Sequence, residues 1–370
     1  MKRRSFIKGI SLAAGVVAIP STVYSINQTD QYMPVKSATT SNPLLDAVPG
    51  MIDYEGTPLD EKGLFINEEY VFWPKMGELI KWKTSKNPYK KEKKNYNKSL
   101  DVIKRSSLDE ISDNSITWLG HASYLIHLEG KRILIDPILT QPGFFLKRHT
   151  ELPFCIKDFV DIDYILISHN HRDHCDKESI EILAKLNPEA SWLCGLGLDK
   201  LLLNAWTGSS KIQAAGWYQQ YSIYHPDLTI AYLPTRHWSR RGLSDTNQSL
   251  WGAFMIESKG KKIYFGGDSG YGSHLKKVNS LFGSVDYYLA GIGAFAPRWF
   301  MSPSHMHPEE VAVSCLDLQA KNVLPMHFGT FDLSDEPLLE PIRLMTQLSD
   351  ENAFSSKLIT SALGEEVKIV

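Results

Sequence analysis

Four side chains of types that commonly bind metal ions lie close together in one short segment, which reads SHNHRDHCD over 168–176. They are His169, His171, Asp173 and His174. Neutral imidazole and carboxylate groups together suit zinc and similar divalent ions. The spacing is too compact for all four to converge on one tetrahedral ion, whereas it can serve two neighbouring ions. The alternative, a solvated polar loop, rarely holds so many histidines.

The elements that must position these side chains follow from the apolar runs. Residues 164–167 are apolar and directly precede the cluster, which predicts a buried strand that delivers the cluster to a loop at a sheet edge. Three more strand-like runs end in the same way: His237 follows 228–233, Asp268 follows 262–265, and His327 follows 323–326. One such residue alone would be more typical of a structural role. Three at equivalent positions indicate that they complete a site for two metal ions.

Several further segments carry a resemblance to a known family. They read TWLGHASYLIHLEGKRILIDP (117–137), RHWSRRGLSDTNQSLWGAF (236–254), FGGDSGYG (265–272), GAFAPRWFM (293–301), HPEEV (307–311) and MHFGTF (326–331). With SHNHRDH (168–174), they resemble N-acylphosphatidylethanolamine-hydrolysing phospholipase D, a branch of the metallo-β-lactamase superfamily. The similarity runs from about Ile116 to about Leu344. It implies an α/β (α+β) fold, a four-layer αββα sandwich with metals at the edge between its two sheets.

The resemblance also implies a ligand set. A first zinc would be held by His169, His171 and His237, and a second by Asp173, His174 and His327, with Asp268 bridging both. His305 matches a family histidine close to the substrate phosphate, where it would stabilise the phosphate charge or protonate the leaving group. Asp268 and His305 are therefore the residues implied in catalysis.

One departure from the family pattern follows His305. Where the family usually has Asp two residues later, this chain has His307, a candidate spare ligand or acid. Two other residues are expected to lie behind the ligands rather than among them. Asp136 at the end of ILID and His121 in LGHAS are interpreted as neighbours that support the site.

The function implied is that of a zinc-dependent phosphodiesterase of the phospholipase D type. It would hydrolyse N-acylphosphatidylethanolamine-like phospholipids to N-acylethanolamine and phosphatidic acid. One alternative is a dizinc hydrolase of another phosphodiester or of a lactone, because substrate choice depends on pocket side chains rather than on the fold. A metal-binding interaction protein without catalysis is disfavoured, since every expected ligand is present.

The N-terminal residues predict a signal sequence for export. KRRSFIK at 2–8 is a twin-arginine signature, and an apolar segment over 10–19 ends at Pro20. We therefore interpret residues 1–25 as a signal peptide for the twin-arginine export machinery, which implies a periplasmic or extracellular protein. Residues 26–110 are interpreted as a linker, loose over 26–56, followed by a basic and aromatic arm. Residues 111–370 form the predicted catalytic domain.

The arm has a composition suited to a lipid surface. Over 65–98, lysines alternate with Tyr70, Phe72, Trp73, Trp82 and Tyr89. Ammonium groups bind lipid phosphates and aromatic rings favour headgroup depth, which predicts a peripheral membrane contact with the phospholipid substrate. The alternative is an arm that lies on the catalytic domain with its lysines in water. Both interpretations are compatible.

Composition limits the remaining classes. The chain has 370 residues, of which 43% are apolar and 22% charged, enough to bury a substantial core. Its net charge of −2 argues against generic nucleic-acid binding. Its four cysteines contain no CxxC pair and predict no disulfide framework. The sequence leaves the oligomeric state open.

Overall fold

The computed structural model describes residues 34–370, apart from 96–98 and 144–145. The predicted signal peptide at 1–25 and the first part of the predicted linker, 26–33, lie outside the described residues. Among the described residues, no helix combines the length and the apolar character needed to cross a membrane.

The first of two large sheets has seven strands in the order β16-β3-β4-β5-β6-β7-β8. They are β3 (Ser115–Gly120), β4 (Ser123–Leu128), β5 (Lys131–Ile135), β6 (Tyr164–Ile167), β7 (Ser191–Gly195), β8 (Ile212–Ala215) and β16 (Glu366–Lys368). Strands β16 to β5 pair antiparallel, and β5 to β8 pair parallel. The strand predicted before the histidine cluster is confirmed as β6.

The second sheet repeats this plan with the order β15-β14-β13-β12-β11-β10-β9. Its strands are β9 (Gln219–Gln220), β10 (Leu228–Leu233), β11 (Ala253–Ser258), β12 (Lys261–Phe265), β13 (Tyr287–Gly291), β14 (Asn322–Met326) and β15 (Lys357–Leu358). Strands β9 to β12 are antiparallel, and β12 to β15 are parallel. The three strands predicted to deliver His237, Asp268 and His327 are confirmed as β10, β12 and β14.

Helices surround the two sheets. They are α1 (Met76–Thr84), α2 (Lys90–Asn95), α3 (Lys177–Leu186), α4 (Asn204–Thr207) after a π-helical turn, α5 (His274–Phe282), α6 (Arg298–Met301), α7 (Pro308–Asp317) and α8 (Glu340–Asp350). Helix α3, predicted over the same residues, begins where the Asp176 carboxylate accepts a hydrogen bond from Ser179 N at 2.9 Å.

Side-chain alternation along the strands produces the layers. In β4, Leu125 points to an outer core that it shares with Ile180 and Leu183 of α3. Its neighbour Ile126 belongs to the inner core between the two sheets, together with Phe254 of β11. Helices therefore lie outside and the sheets pack face to face, which confirms the four-layer αββα sandwich.

Residues 34–56 are more ordered than predicted, and the expectation of a loose linker there is wrong. Strand β1 (Lys36–Thr40) pairs antiparallel with β2 (Thr57–Asp60) as a separate small sheet. The Gln219 amide donates to the carbonyls of Asn42 and Leu45, both at 2.8 Å. Val48 is buried in the main hydrophobic core of the catalytic domain. These partners on the catalytic domain are distant in sequence, so the polar composition of the segment does not reveal them.

The arm after residue 65 lies on the catalytic domain. The Trp82 ring stacks on Phe300 with centroids 5.0 Å apart, and Lys93 forms an ion pair with Asp332. Trp73 and Trp82 are both buried. The expectation that these two rings meet lipid headgroups is therefore wrong, because Trp82 packs on Phe300 of α6 and Trp73 is buried within the protein.

Candidate metal centre

The first group of predicted ligands converges at one point on the sheet edge. The Nε2 atoms of His169 and His237 lie 2.9 Å and 3.0 Å from His171 Nδ1. The same two Nε2 atoms lie 3.9 Å and 3.7 Å from Asp268 Oδ2. These four residues form a group able to hold one ion. It is the set implied for the first metal.

A second group adjoins the first through Asp268. The Nε2 atom of His174 lies 3.2 Å from Asp268 Oδ2 and 3.6 Å from Asp173 Oδ2. His327 Nε2 lies 3.1 Å from Asp268 Oδ1 and 3.4 Å from Asp173 Oδ2. One carboxylate oxygen of Asp268 thus faces ligands of both groups. The structure brings together all seven residues of the predicted ligand set.

The arrangement fits divalent metal ions. A tetrahedral zinc with bonds of about 2.0–2.2 Å separates its ligand atoms by roughly 3.3–3.6 Å, within the spread of distances at both groups. The Nε2 atoms of His174 and His327 and Oδ1 of Asp268 are buried without a hydrogen-bond partner. Buried polar atoms are normally paired, so these atoms are available for coordination.

Asp136 and His121 both contact residues of the predicted ligand set, and His121 also forms a group able to hold an ion with Asp173, His174 and His327. The Asp136 carboxylate accepts hydrogen bonds from Ser168 N at 2.7 Å and from His174 Nδ1 at 2.8 Å. His121 Nε2 lies 2.9 Å from Asp173 Oδ2, and its ring packs on His327 with centroids 4.1 Å apart. Such partners fix the orientation of metal ligands and are part of the design of a metal site.

Burial and the dense charge of the site shift the pKa values of its groups. Burial lowers the pKa of His169 well below its usual value, and neighbouring imidazoles lower it further. This favours the neutral form that coordinates metal. Burial opposes ionisation of Asp268, but the His174 and His327 imidazoles hold its pKa well below the usual range. His169 and Asp268 are therefore kept in the state that binds cations. Against the opposing effect of burial, the Asp268 and Asp173 carboxylates raise the pKa of His174 above its usual value and that of His327 to about 9, so metal binding must displace a proton from these two ligands.

Backbone conformation also shapes the site. His121, Asp136 and His327 all adopt positive φ, at 53°, 41° and 65°. Positive φ is unusual for residues with a side chain and concentrates at functional sites. A Cβ on Gly293 would lie 1.9 Å from the His327 carbonyl oxygen, so only glycine permits this approach. The positive φ of His327 and the close approach of Gly293 to its carbonyl thus fix the turn from which the His327 side chain reaches the metal groups.

His305 and His307 differ in position. His305 Nδ1 lies 3.9 Å from Asp268 Oδ2, and its side chain is 15% exposed. Burial lowers the pKa of His305 to about 4. His307 instead caps helix α7, where its Nδ1 accepts a hydrogen bond from Glu309 N at 3.3 Å, and its ring packs on Phe295. The hypothesis that His307 is a spare ligand or acid is wrong, because the helix terminus holds its side chain outside the metal groups.

Some residues around the centre were not predicted. The Trp238 ring packs edge-on against His171 with centroids 4.6 Å apart. The Ser304 carbonyl accepts a hydrogen bond from His237 Nδ1 at 3.1 Å. Asn67 of the arm bonds to the backbone of His237. Trp238 adjoins a predicted ligand and could have been suspected from sequence. The Ser304 carbonyl and Asn67 lie far from His237 in sequence, and no local sequence pattern marks them.

A cavity of about 360 Å³ opens over the metal centre. His171, Asp173, Asp268, His305 and His327 form part of its lining. Phe72, Met76, Leu79 and Trp82 of the arm contribute, together with Phe300 and Met301. The site therefore combines a cluster of metal ligands with an apolar wall built largely by the arm.

Comparison with known proteins agrees with this geometry. Residues 131–328 match the family model described as beta-lactamase superfamily domain. Over 303 residues the chain is 31% identical to N-acyl-phosphatidylethanolamine-hydrolyzing phospholipase D 1 of Caenorhabditis elegans, covering 78% of this chain and 85% of that one. It is 34% identical to the mitochondrial protein of that name from Saccharomyces cerevisiae, covering 67% of this chain and 54% of the yeast protein.

A solved structure shows the same fold. Igni18, a metallo hydrolase from Ignicoccus hospitalis, superposes with a TM-score of 0.54 at 21% identity, covering 68% of this chain and 97% of that one. The chain belongs to the metallo-β-lactamase superfamily and is a metal-dependent hydrolase. Within the superfamily it resembles the N-acylphosphatidylethanolamine-hydrolysing phospholipases D.

Proposed function

We propose that this protein is a dizinc phosphodiesterase of the phospholipase D type. It would cleave N-acylphosphatidylethanolamine-like phospholipids to N-acylethanolamine and phosphatidic acid. The observation that carries the proposal is the cavity, in which two adjoining ligand groups meet an apolar wall. An amphiphilic phosphodiester matches both parts, since its phosphate suits the metals and its acyl chains suit the wall.

The cavity wall offers apolar surface beside the phosphate position. Phe72, Leu79 and Trp82 come from the arm, and Phe300 and Met301 from α6. Removal of apolar area from water is worth about 25 cal/mol per Å², so even part of an acyl chain would contribute several kcal/mol to binding. A small water-soluble diester would gain little from this wall.

Cationic side chains line the same cavity. Lys75 of the arm, Arg172 beside the metal ligands and Arg240 after His237 all contribute to its lining. Guanidinium groups bind phosphate oxygens with two parallel hydrogen bonds, and ammonium acts as a point charge. These groups favour an anionic substrate.

The residues present account for the proposed chemistry. Two divalent ions held by the two ligand groups would supply an activated water and neutralise charge at phosphorus. Asp268 contributes by facing both ligand groups. His305, whose lowered pKa keeps it neutral at pH 7, is placed to donate a hydrogen bond to a phosphate oxygen or to the leaving alkoxide.

The location of the protein is part of the proposal. Export by the twin-arginine machinery would carry the folded, metal-loaded enzyme out of the cytoplasm. At its destination the arm would contact a membrane surface, since Lys81, Lys83 and Ile80 of α1 are exposed and Trp299 is 47% exposed nearby. Lys81 Nζ lies 4.7 Å from the Trp299 ring centroid. Cationic and apolar groups on one face suit anionic lipid headgroups.

The test is a substrate panel with the metal-loaded enzyme. Vesicles containing N-acylphosphatidylethanolamine should give N-acylethanolamine and phosphatidic acid at a kcat/KM well above that for bis(p-nitrophenyl) phosphate or a long-chain lactone. Phe72→Ala and Trp82→Ala should reduce the lipid rate more than the rate on the soluble diester. A lactone or soluble diester as the preferred substrate would contradict the proposal, while leaving the metal hydrolase assignment intact.

A further inference from the structure

The arm reaches the metal centre through one buried side chain, Asn67, which is 5% exposed. Its Nδ2 donates a hydrogen bond to the His237 carbonyl at 3.0 Å, and its Oδ1 accepts one from His237 N at 3.3 Å. Asn67 thus satisfies both backbone groups of His237. The side-chain amide of Asn67 therefore pairs with the backbone of His237 as a neighbouring strand would in a sheet.

Neighbouring contacts extend this attachment. Asn67 Oδ1 also accepts from Trp251 Nε1 at 3.2 Å. Phe65 N donates to the Asn247 carbonyl at 3.0 Å, and Asn247 N donates to the Ser239 carbonyl at 2.8 Å. Residues 65–67 therefore lie along the loop between β10 and β11, which carries His237. The arm and the loop share one hydrogen-bond network.

The ring of His237 is fixed from the other side. Its Nδ1 donates to the Ser304 carbonyl at 3.1 Å, which leaves Nε2 facing the first ligand group. Ser304 orients the imidazole and Asn67 holds the backbone from which it projects. Without Asn67, the buried carbonyl and N–H of His237 would lose these partners, and buried backbone groups are costly to leave unpaired.

We propose that Asn67 is a positioning residue for the first metal ion and couples docking of the arm to metal affinity. The proposal rests on the proposed function only in taking His237 as a ligand. Coupling is reciprocal: if docking of the arm raises metal affinity, metal binding stabilises the docked arm by the same factor. The element that walls the substrate cavity would then also complete the metal centre.

The experiment compares two asparagines of the arm. Asn87 is also 5% exposed, but its Nδ2 donates to the Asp335 carbonyl at 3.1 Å, outside the loop of His237. Zinc affinity is measured by equilibrium competition with a chelator, and Co²⁺ titration of the metal-free proteins reports ligand geometry through visible absorption. Asn67→Ala should weaken one of two sites about 10–100-fold and alter the Co²⁺ spectrum. Asn87→Ala should change neither.

A second measurement needs no variant. Zinc removal from the parent should speed hydrogen exchange of the Phe65 amide by about 10–100-fold. By reciprocity, this is the same factor by which docking of the arm raises zinc affinity. The amide of Tyr89, bonded to Asn87 Oδ1 at 2.7 Å, should exchange equally fast with and without zinc. Unchanged zinc affinity in Asn67→Ala, or equal exchange of Phe65 in both states, would overturn the inference.

His237→Ala separates this inference from the ligand assignment. If that variant loses one ion while Asn67→Ala binds zinc like the parent, only the positioning role fails. If His237→Ala keeps both ions at parental affinity, the proposed ligand set fails, and the coupling fails with it.

Discussion

The carboxylate of Asp136 accepts a hydrogen bond from His174 Nδ1 at 2.8 Å, and both side chains are fully buried. The bond turns His174 Nε2 toward Asp268. Asp136 also accepts from the N–H and the hydroxyl of Ser168. One carboxylate at the end of β5 therefore links two neighbouring strands to the orientation of a metal ligand.

Replacing that carboxylate should weaken the second metal site. In Asp136→Asn one carboxylate oxygen becomes an NH₂ group facing a donor, so a bond to Ser168 or His174 is lost. We expect zinc affinity at one site to fall about 10–100-fold. Chelator competition measures it. Asp286→Asn, another buried carboxylate that accepts from Lys262 N at 2.9 Å, is the control and should leave zinc affinity unchanged.

His305 should matter for turnover rather than for metal binding. His305→Ala is expected to retain its metals and to lose about 10²–10³-fold in kcat, the usual cost of removing one hydrogen-bond donor to the charge that develops in the transition state. His307→Ala should keep both metals and kcat, because that side chain caps α7. Steady-state kinetics with metal analysis tests both. The reverse pattern, with His307 essential and His305 dispensable, would refute the assignment.

Exposed lysines of α2 should govern attraction to anionic lipid. Lys90, Lys91 and Lys94 are exposed, and each would add about 1 kcal/mol near an anionic surface. Replacing these three with Gln should weaken vesicle binding and reduce its salt dependence, while hydrolysis of a soluble diester stays the same. Lys93→Gln should alter the salt dependence little, because Asp332 neutralises that charge.

The exposed ring of Trp299 should contribute to the same surface without charge. Trp299→Ala is expected to weaken vesicle binding through lost apolar contact, with little effect on its salt dependence. Vesicle sedimentation at several salt concentrations measures both the affinity for vesicles and its salt dependence. If the triple lysine variant and Trp299→Ala both bind vesicles like the parent, the membrane contact lies elsewhere on the protein.

Acid should destabilise the fold partly through His274. Burial lowers the pKa of His274 from 6.5 to about 4, so the unfolded chain binds the proton more tightly. The neutral folded form is favoured above pH 6.5, and this stability is lost as pH falls from about 6.5 toward 4. Urea unfolding of parent and His274→Gln should show a flatter pH dependence for the variant in that window. Parallel profiles would contradict the assignment.

The sequence predicted what depends on local pattern. Strand-like runs that end next to His169, His237, Asp268 and His327 predict that these residues meet at one edge of the sheets. This is possible because the alternation of side chains and the direction of a strand can both be read from neighbouring residues. His307 was misinterpreted because its chemistry suits a ligand, whereas a helix that begins at the next residue decides where its ring lies.

Long-range contacts could not be predicted in this way. Asn67 is separated from His237 by 170 positions, and nothing near it distinguishes it from a surface asparagine. The composition of the arm suits a lipid surface as well as a position on the catalytic domain, and the packing of Trp82 on Phe300, a partner known only once the chain is folded, favours the second for this ring. Composition of a segment describes what it can bind, while packing decides which groups remain available.

Metal content of the parent and of Asp268→Ala tests the central claim most directly. Asp268 is the carboxylate whose oxygens lie within 3.1–3.9 Å of ligand atoms in both groups. Elemental analysis after equilibrium dialysis should find two zinc ions per chain in the parent. Asp268→Ala should retain neither ion tightly and should show no hydrolysis. Two tightly held ions in Asp268→Ala would contradict the bridged dizinc centre.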